Sequence, residues 1–370
     1  MRDMFKDVVG VAPLPSAERI TTIPVLEALG DARDALGQLR GVAQSLPNQG
    51  ILINTLYLQE ALASSEIENI VTTQDEAFRA DLQLDIASPE AKEVVRYRDA
   101  MYSGYADWHN LGGISENMLI SMFRILKQRT DGYRTTPGTK LLNQRTRQVV
   151  YEPPQDPQEI IRLMRELEIF INSKAKDGIH PLVRMALIHH RFESIHPFPD
   201  GNGRVGRILN VLYLIHAGLL DMPILYLSRA INATKRDYYR LLQKVRTEDS
   251  WEEWVVYMLN AVTQTARPTL KLIEDIRDLM LDTKKRIRDG LPKIYSQDLL
   301  NNLFRHPYTR AEFLAKDISR EPQTARRHLK QLANKGFVRE VKHNRNSYYI
   351  NGPLVELLID VSADEVDLDD

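Results

Sequence analysis

The chain has no cysteine among its 370 residues. No disulfide can close it, no thiolate can act as a nucleophile, and no cysteine-based metal site can form. It has no apolar run near the ~18 residues that a membrane span needs. Its first residues, MRDMFKDVVGVAPLP, lack the apolar core of a signal peptide. These absences predict a cytoplasmic protein with no membrane partner. Neither sign of charge is in excess: 49 Lys and Arg stand against 50 Asp and Glu, so net charge says nothing of partners until it is divided by region. There is no Walker A string, no Rossmann glycine fingerprint, no serine nucleophile elbow, no internal repeat and no low-complexity segment. What is left is an ordinary globular composition, 43% hydrophobic and 27% charged, long enough for two or three domains.

One stretch organises the rest: HPFPDGNGRVGR, His196 to Arg207. Before it, Leu182, Met185, Ala186, His189 and Phe192 recur at helical spacing behind Pro181, which suits a first helical turn. Pro197 restricts its predecessor, so His196 is expected in extended geometry just past that helix. After the stretch, Val205, Ile208, Leu209, Leu212 and Ile215 trace a second apolar face. A loop therefore feeds a helix N-terminus near Asn202. Such an end offers N–H groups and partial positive charge, and Gly201 and Gly203 allow close backbone approach, which together make an anion cradle. Arg204 and Arg207 fall in the first turns, where the dipole disfavours cations, unless a polyanion neutralises them. Asp200 could hold Mg²⁺ between phosphate oxygens, and His196 could take a proton from an attacking hydroxyl. Any one of these residues alone is equally an ordinary helix start; the whole string points to phosphoryl or nucleotidyl transfer. His189, His190 and His196 with Asp200 do not have HExxH spacing, so zinc is not expected, and His189 reads as a core histidine.

HPFPDGNGRVGR resembles the Fic signature, H-x-F-x-D/E-G-N-G-R-x-x-R, and fits it at every fixed position. The resemblance implies transfer of AMP from ATP to a Ser, Thr or Tyr hydroxyl of a target protein, with Mg²⁺ as cofactor. It implies His196 as general base, with Pro197 beside it in the nucleotide site. It implies Phe198 as the buried anchor of the loop and Asp200 as the Mg²⁺ ligand. It further implies Gly201, Asn202 and Gly203 as the cradle of the α- and β-phosphates, Arg204 as a further phosphate contact, and Arg207 as the γ-phosphate ligand. A kinase-like branch carries Lys where this chain has Gly203, which speaks for AMP transfer here.

Upstream, Ile51 to Glu68 reads as a helix with acidic residues at its end, where the macrodipole makes Glu68 want a cation. Ser64, Glu68 and Asn69 also resemble the inhibitory pattern of many Fic proteins, S/T-x-x-x-E-G/N. That implies Glu68 paired with Arg207 in γ-phosphate space, so that ATP binds in a geometry poor for transfer. Tyr133 to Pro154 reads as a hairpin around the polar tip Gln144–Arg147. In Fic proteins a hairpin here, the flap, docks the target by strand addition, and Arg145 and Arg147 would bias its partner choice. Tyr238 and Tyr239 are most simply core, yet the resemblance places such a pair near the nucleotide base, and Asn232 joins them as an expected nucleotide contact.

The remaining pattern is helical: Thr22–Leu46, a helix opened by Ser88 and Pro89, Ile114–Lys127 capped by Ser115, Pro157–Phe170, Trp251–Val262, and a separate charged helix Thr269–Arg288. Residues 293–350 differ, with 12 Lys and Arg against 5 Asp and Glu, a balance of +7. Helices at Ser296–Phe304, Thr309–Lys316 (capped by Thr309) and Pro322–Asn334, then strands at Phe337–Val341 and Ser347–Ile350, give an order that resembles a winged helix-turn-helix. Gln323, Thr324, Arg326, Arg327 and Lys330 would face a DNA groove. A dimerisation or target-docking module is the other reading. Leu354 to Asp370 holds seven acidic residues and no basic ones, and its end reads as a solvated tail.

The expectation is a mainly α fold. Residues 1–110 form an N-terminal helical region carrying the inhibitory motif at 64–69; 111–288 form the Fic helical core with its small β-hairpin flap; 293–353 form the winged-helix module; 354–370 form the acidic tail. The expected function is protein adenylyltransfer with release of pyrophosphate, held in check by Glu68. Self-modification, a homodimer and a DNA contact through 293–350 are carried as further partner readings. The alternatives are a DNA-binding regulator whose Fic domain senses nucleotide, and removal of AMP by the same site.

Overall fold

A computed structural model describes residues 11–46, 48–82, 87–142, 146–173, 177–343 and 346–363. They are mainly helical, as expected, and fall into two compact units assembled from alternating parts of the chain. One gathers Met1–Gly37, Ala63–Ile70 and Arg96–Ala266; the other gathers Gln38–Leu62, Val71–Val95 and Arg267–Asp370. Among the described residues no helix is long and apolar enough to cross a membrane.

The first unit is centred on two helices, Pro181–Ile195 and Asn202–His216, packed on each other. Both are buried on nearly every side, so the apolar stripes read from the sequence are only part of their buried surface. Pro157–Asn172 packs on the first of them and Glu116–Lys127 on the second. The starts of these helices follow the capping chemistry of the sequence. The Ser115 hydroxyl accepts from the Met118 N–H at 3.2 Å, and Asp156 accepts from Gln158 at 3.0 Å, ahead of Pro157 in the first turn. His180 does the same for Leu182 at 3.1 Å, ahead of Pro181. The expected hairpin forms between Leu141–Leu142 and Val149–Tyr151, with Leu141 opposite Tyr151 and Leu142 opposite Val149. Arg147 sits in its turn with φ 58° and is exposed, whereas Arg145 lies outside the described residues.

One helix boundary differs from the sequence pattern. Trp251–Gly290 is a single helix that runs through Pro268, where two helices are expected. Proline removes one backbone donor and usually breaks a helix. Here Trp254, Met258 and Leu259 before it, and Leu272, Ile273 and Ile276 after it, are all buried, and that burial outweighs one lost hydrogen bond.

In the second unit, the C-terminal segment has helices Gln297–Arg305, Ala311–Asp317 and Pro322–Asn334 and the strand pair Arg339–His343 and Asn346–Ile350. It also has a strand the sequence did not signal: Tyr308–Arg310 pairs with Asn346–Ile350, making a three-stranded antiparallel sheet. Thr309 belongs to that strand and is not a helix cap. Its β-branched side chain is buried, and its hydroxyl donates to Asn302 Oδ1 at 2.8 Å. Gly336, with φ 75°, follows the helix that ends at Asn334, as its sequence position predicts. The expected tail begins as a helix, Gly352–Ala363, because Leu354 and Leu358 are buried. Residues 364–370, where the tail was expected to be solvated, lie outside the described residues.

Candidate active site

The signature loop joins the C-terminus of Pro181–Ile195 to the N-terminus of Asn202–His216. His196 is not extended, as Pro197 suggested. It adopts the left-handed conformation, φ 50° and ψ 58°, and its N–H donates to Phe192 O at 2.9 Å. A helix C-cap in that conformation is common, and its reward in satisfied carbonyls outweighs the preference set by the following proline. The remaining carbonyls of this helix end are covered by three side chains that the motif does not contain. Arg134 Nε donates to His196 O at 2.9 Å, and the Arg134 backbone N–H donates to Pro197 O at 2.8 Å. Tyr151, on the hairpin, donates to Ser194 O at 2.8 Å. Arg246 donates to Glu193 O at 3.2 Å and stacks its guanidinium 3.9 Å from the Tyr151 ring centre. The backbone that carries His196 is thus pinned in place from three separate segments, while the imidazole Nδ1 itself has no hydrogen-bond partner.

Phe198 is fully buried and stacks on Phe123 at 4.4 Å. Asn202 turns its side chain back on the loop, its Oδ1 accepting from the Phe198 N–H and its Nδ2 donating to Phe198 O, both at 2.8 Å. Its side chain therefore staples the loop, which leaves only its backbone for a phosphate. Removing two buried bonds and their partner should cost about 2–4 kcal/mol. Asn202→Ala is expected to lower the urea unfolding free energy by that amount; a stability equal to wild type would contradict the stapling role.

Gly201 precedes the helix with φ 76°, and no side chain caps the helix start. The N-terminal end is therefore open to an anion. Asp200 lies beside it and is exposed. Lys127 pairs with it at 2.7 Å and holds its carboxyl below the usual range, although partial burial works the other way. Among the described residues no group of three or more His, Cys, Asp or Glu could hold a metal by itself. One carboxylate next to an open phosphate cradle nevertheless suits Mg²⁺, which takes one or two carboxylates and completes its shell with phosphate oxygens and water.

Two of the three residues of the inhibitory pattern, Ser64 and Glu68, come together at Arg207. This guanidinium is 1% exposed. Its Nη2 donates to Glu68 Oε1 at 2.9 Å and to Ser64 O at 2.9 Å, and its Nε donates to the Ser64 hydroxyl at 2.8 Å. Burial works against the charged form, but the Glu68 carboxylate holds Arg207 above its ordinary value. Asn69 has φ 61° and closes the turn after helix Gly50–Ile67, which explains why Asn or Gly belongs after the glutamate. Its Oδ1 also accepts from Lys235 at 3.0 Å. Gly203 faces this contact: a Cβ there would meet Glu68 Oε1 and come 2.9 Å from Arg207 Nη1, so both side-chain ends would have to shift. Arg204 is likewise buried, on the same helix.

Burial pushes the His196 imidazole down to about 4, helped by the charges of Arg246 and Arg134. It is therefore neutral at physiological pH. His189 is a core residue as expected, fully buried and bonded to the Tyr238 hydroxyl at 2.9 Å. Tyr238 is itself core, while the edge-packed Tyr239 is 42% exposed and feels the Glu68 and Arg207 charges. Of the pair, only Tyr239 has a ring available for stacking on a base. Asn232 lies half-buried near the end of helix Leu227–Ala233. Arg134, Tyr151, Arg246 and Lys127 were missed in the sequence because they lie far from the motif. Glu193 had a signal, an acidic residue in an otherwise apolar helix pattern.

Comparison with known proteins places this fold among Fic proteins. Residues 113–214 match the Fic/DOC family, 26–106 the Fic/DOC family N-terminal region, and 279–354 the C-terminal domain of SoFic-like protein adenylyltransferases. The chain is 30% identical over 140 residues to a protein adenylyltransferase Fic of Drosophila grimshawi, covering 38% of this chain and 24% of that one. It is 28% identical over 149 residues to the Drosophila willistoni protein of the same name, covering 40% and 28%. The chain thus matches about a quarter of the length of these curated relatives. Among solved structures, a Fic family protein from Desulfovibrio desulfuricans G20 superposes with a TM-score of 0.58 at 21% identity, covering 90% of this chain and 97% of that one. Fic-1 of C. elegans, residues 134–508, superposes with a TM-score of 0.53 at 19% identity, covering 70% and 74%. At these identities the likeness shows the fold.

Proposed function

The chain belongs to the Fic/DOC family, and we propose that it transfers AMP from ATP to a hydroxyl of a protein, itself or another, and releases pyrophosphate. The observation that carries this reading is a neutral His196, pinned at a helix C-terminus, next to the uncapped N-terminus of the following helix. The acceptor hydroxyl gives its proton to His196 as its oxygen attacks the α-phosphorus, and the bond to the pyrophosphate oxygen breaks. The backbone of Gly201 to Arg204 and the Arg204 side chain take the phosphate charge, and Arg207 takes the γ-phosphate once Glu68 has left it. Asp200 would hold Mg²⁺, which supplies neutralising charge to the phosphates when bound. The exposed ring of Tyr239, with Asn232 nearby in sequence, serves the base. The edge of the hairpin Leu141–Tyr151 receives the target segment as an added strand. Glu68 makes the resting enzyme autoinhibited. The experiment supplies α-labelled and γ-labelled ATP with Mg²⁺ to wild type and Glu68→Gly. Label on protein from the α-position alone supports AMP transfer; label from the γ-position alone contradicts it. Removal of AMP would use the same residues, with Glu68 positioning water, and would show as free AMP released from a modified acceptor.

A second reading concerns 293–350, as a winged-helix module that contacts duplex DNA. It rests on the spread of charge. Asp317 is engaged by Asn302 and Arg305, Glu312 by Arg310, and Glu340 by Tyr349. Arg326, Arg327 and Lys330 stand exposed along helix Pro322–Asn334. Binding of a labelled duplex, followed by fluorescence anisotropy, should weaken steeply from 50 to 200 mM salt. Each lost phosphate contact in Arg326→Ala or Arg327→Ala should reduce the log–log slope by about 1. No binding even at 50 mM salt would exclude DNA and favour the protein-docking use of the fold.

A further inference from the structure

Each hydrogen bond described for the Arg207 guanidinium comes from the inhibitory segment: two from Ser64 and one from Glu68. When that segment withdraws, a guanidinium that is 1% exposed loses all of them together. A buried cation without an anion is costly. A second carboxylate lies within the same helix pair. Glu193, in the last turn of Pro181–Ile195, is 7% exposed, and its Oε1 has no hydrogen-bond partner. It packs against the turn that carries Arg207: a Cβ on Gly206 would lie 2.7 Å from Glu193 Oε1. Nothing in the transfer chemistry above uses it.

We propose that Glu193 is a positioning residue that competes with Glu68 for Arg207, so that loss of the Glu193 proton loosens the inhibitory segment. The proposal rests on the autoinhibited reading of the site. The groups that face Glu193 are Arg207 on the motif helix, Glu68 on the inhibitory segment, and Arg246, Tyr238 and Tyr239 on Lys235–Glu248. His189 and His190 on its own helix, and His196 beyond it, are uncharged near neutral pH because burial disfavours their charged forms. Burial pushes the Glu193 carboxyl up to about 7; Arg207 pulls it down and Glu68 pushes it further up. Two carboxylates near one guanidinium do not both ionise freely. With Glu68 docked, Glu193 keeps its proton and Glu68 carries the charge. With Glu68 gone, Glu193 releases the proton and becomes the counter-ion of Arg207. The docked state therefore binds more protons than the open one, so docking is favoured below about pH 7 and weakened above it.

The test measures amide hydrogen exchange of residues 63–70 at pH 6, 7 and 8, corrected for intrinsic rates, on the full chain without nucleotide. In wild type, protection should fall by up to about tenfold across that range, the factor that one unit of pKa separation supplies. In Glu193→Gln, a neutral isostere, it should stay flat. Equal pH dependence in both proteins, or none in wild type, overturns the inference. If Glu193→Gln does not fold, Glu193→Asp keeps the proton and shortens the reach, and an unmoved midpoint would overturn it equally. In parallel, the ratio of transfer by Glu68→Gly to transfer by wild type should fall from pH 6 to 8. Exchange reads the latch without requiring transfer. Absent transfer with a pH-dependent latch would count against the functional reading and not against this one.

Discussion

Replacing Glu68 by glycine should raise AMP transfer by roughly 5–150-fold, the range spanned by an internal coupling of ~1–3 kcal/mol. The cause is local. Glu68 Oε1 sits 2.9 Å from Arg207 Nη2 and fills the space in front of Gly203, which the proposed function assigns to the terminal phosphate of ATP. The same substitution has a cost. Truncating one partner of a buried ion pair destabilises by about 3–5 kcal/mol, and the partial exposure of Glu68 places this case at or below the low end of that range. Glu68→Gly should therefore melt below wild type without nucleotide, and Mg²⁺–ATP should raise its melting temperature more than it raises that of wild type, because phosphate replaces the lost carboxylate. Equal transfer rates for the two proteins would remove Glu68 from the mechanism of inhibition. A raised rate without the melting-temperature difference would locate its effect away from Arg207.

Replacing His196 in the Glu68→Gly background should lower transfer by about 10²–10⁴-fold, the usual share of a positioned general base. Binding of Mg²⁺–ATP should be unchanged, because the proposed function assigns the phosphate charge to Arg204, Arg207 and the helix N-terminus. The choice of variant matters. His196 has a left-handed backbone, which alanine adopts at a cost of ~1–2 kcal/mol and asparagine tolerates well. His196→Asn separates loss of the base from loss of the turn, and both variants should be inactive. The pH profile carries a second check. Burial keeps His196 neutral down to about 4, so the rate in Glu68→Gly should show no step near the ordinary histidine value of ~6.5 and should fall only in more acidic buffer. A step near 6.5, or retained activity in His196→Asn, would assign the proton transfer to another group.

The signature loop was legible because its chemistry is local. Gly201, Asn202 and the apolar face that follows specify a helix start within a few residues, and the structure has it at Asn202. The conformation of His196 is not legible in the same way, because the sequence shows the effect of Pro197 but not the helix carbonyls that reward a left-handed cap. Pro268 misled in the same way. Its lost donor is visible in the sequence, while the burial that carries the helix past it is not. The strand Tyr308–Arg310 is only three residues long, too short for a period-two pattern, and exists because Asn346–Ile350 pairs with it.

By itself the sequence determined the family resemblance and the starts of the helices at Glu116, Pro157, Pro181 and Asn202, because each depends on residue types a few positions apart. The tertiary structure decided what surrounds them. It brought Arg134, Tyr151 and Arg246 onto one helix end from 61, 43 and 52 residues away. It brought Ser64 and Glu68 onto Arg207 from 143 and 139 residues away. It also buried Glu193 and partly buried His196, and so shifted their affinity for protons. Burial and long-range contact depend on how helices distant in sequence pack, and that packing is what sets the charge state of each group in the site.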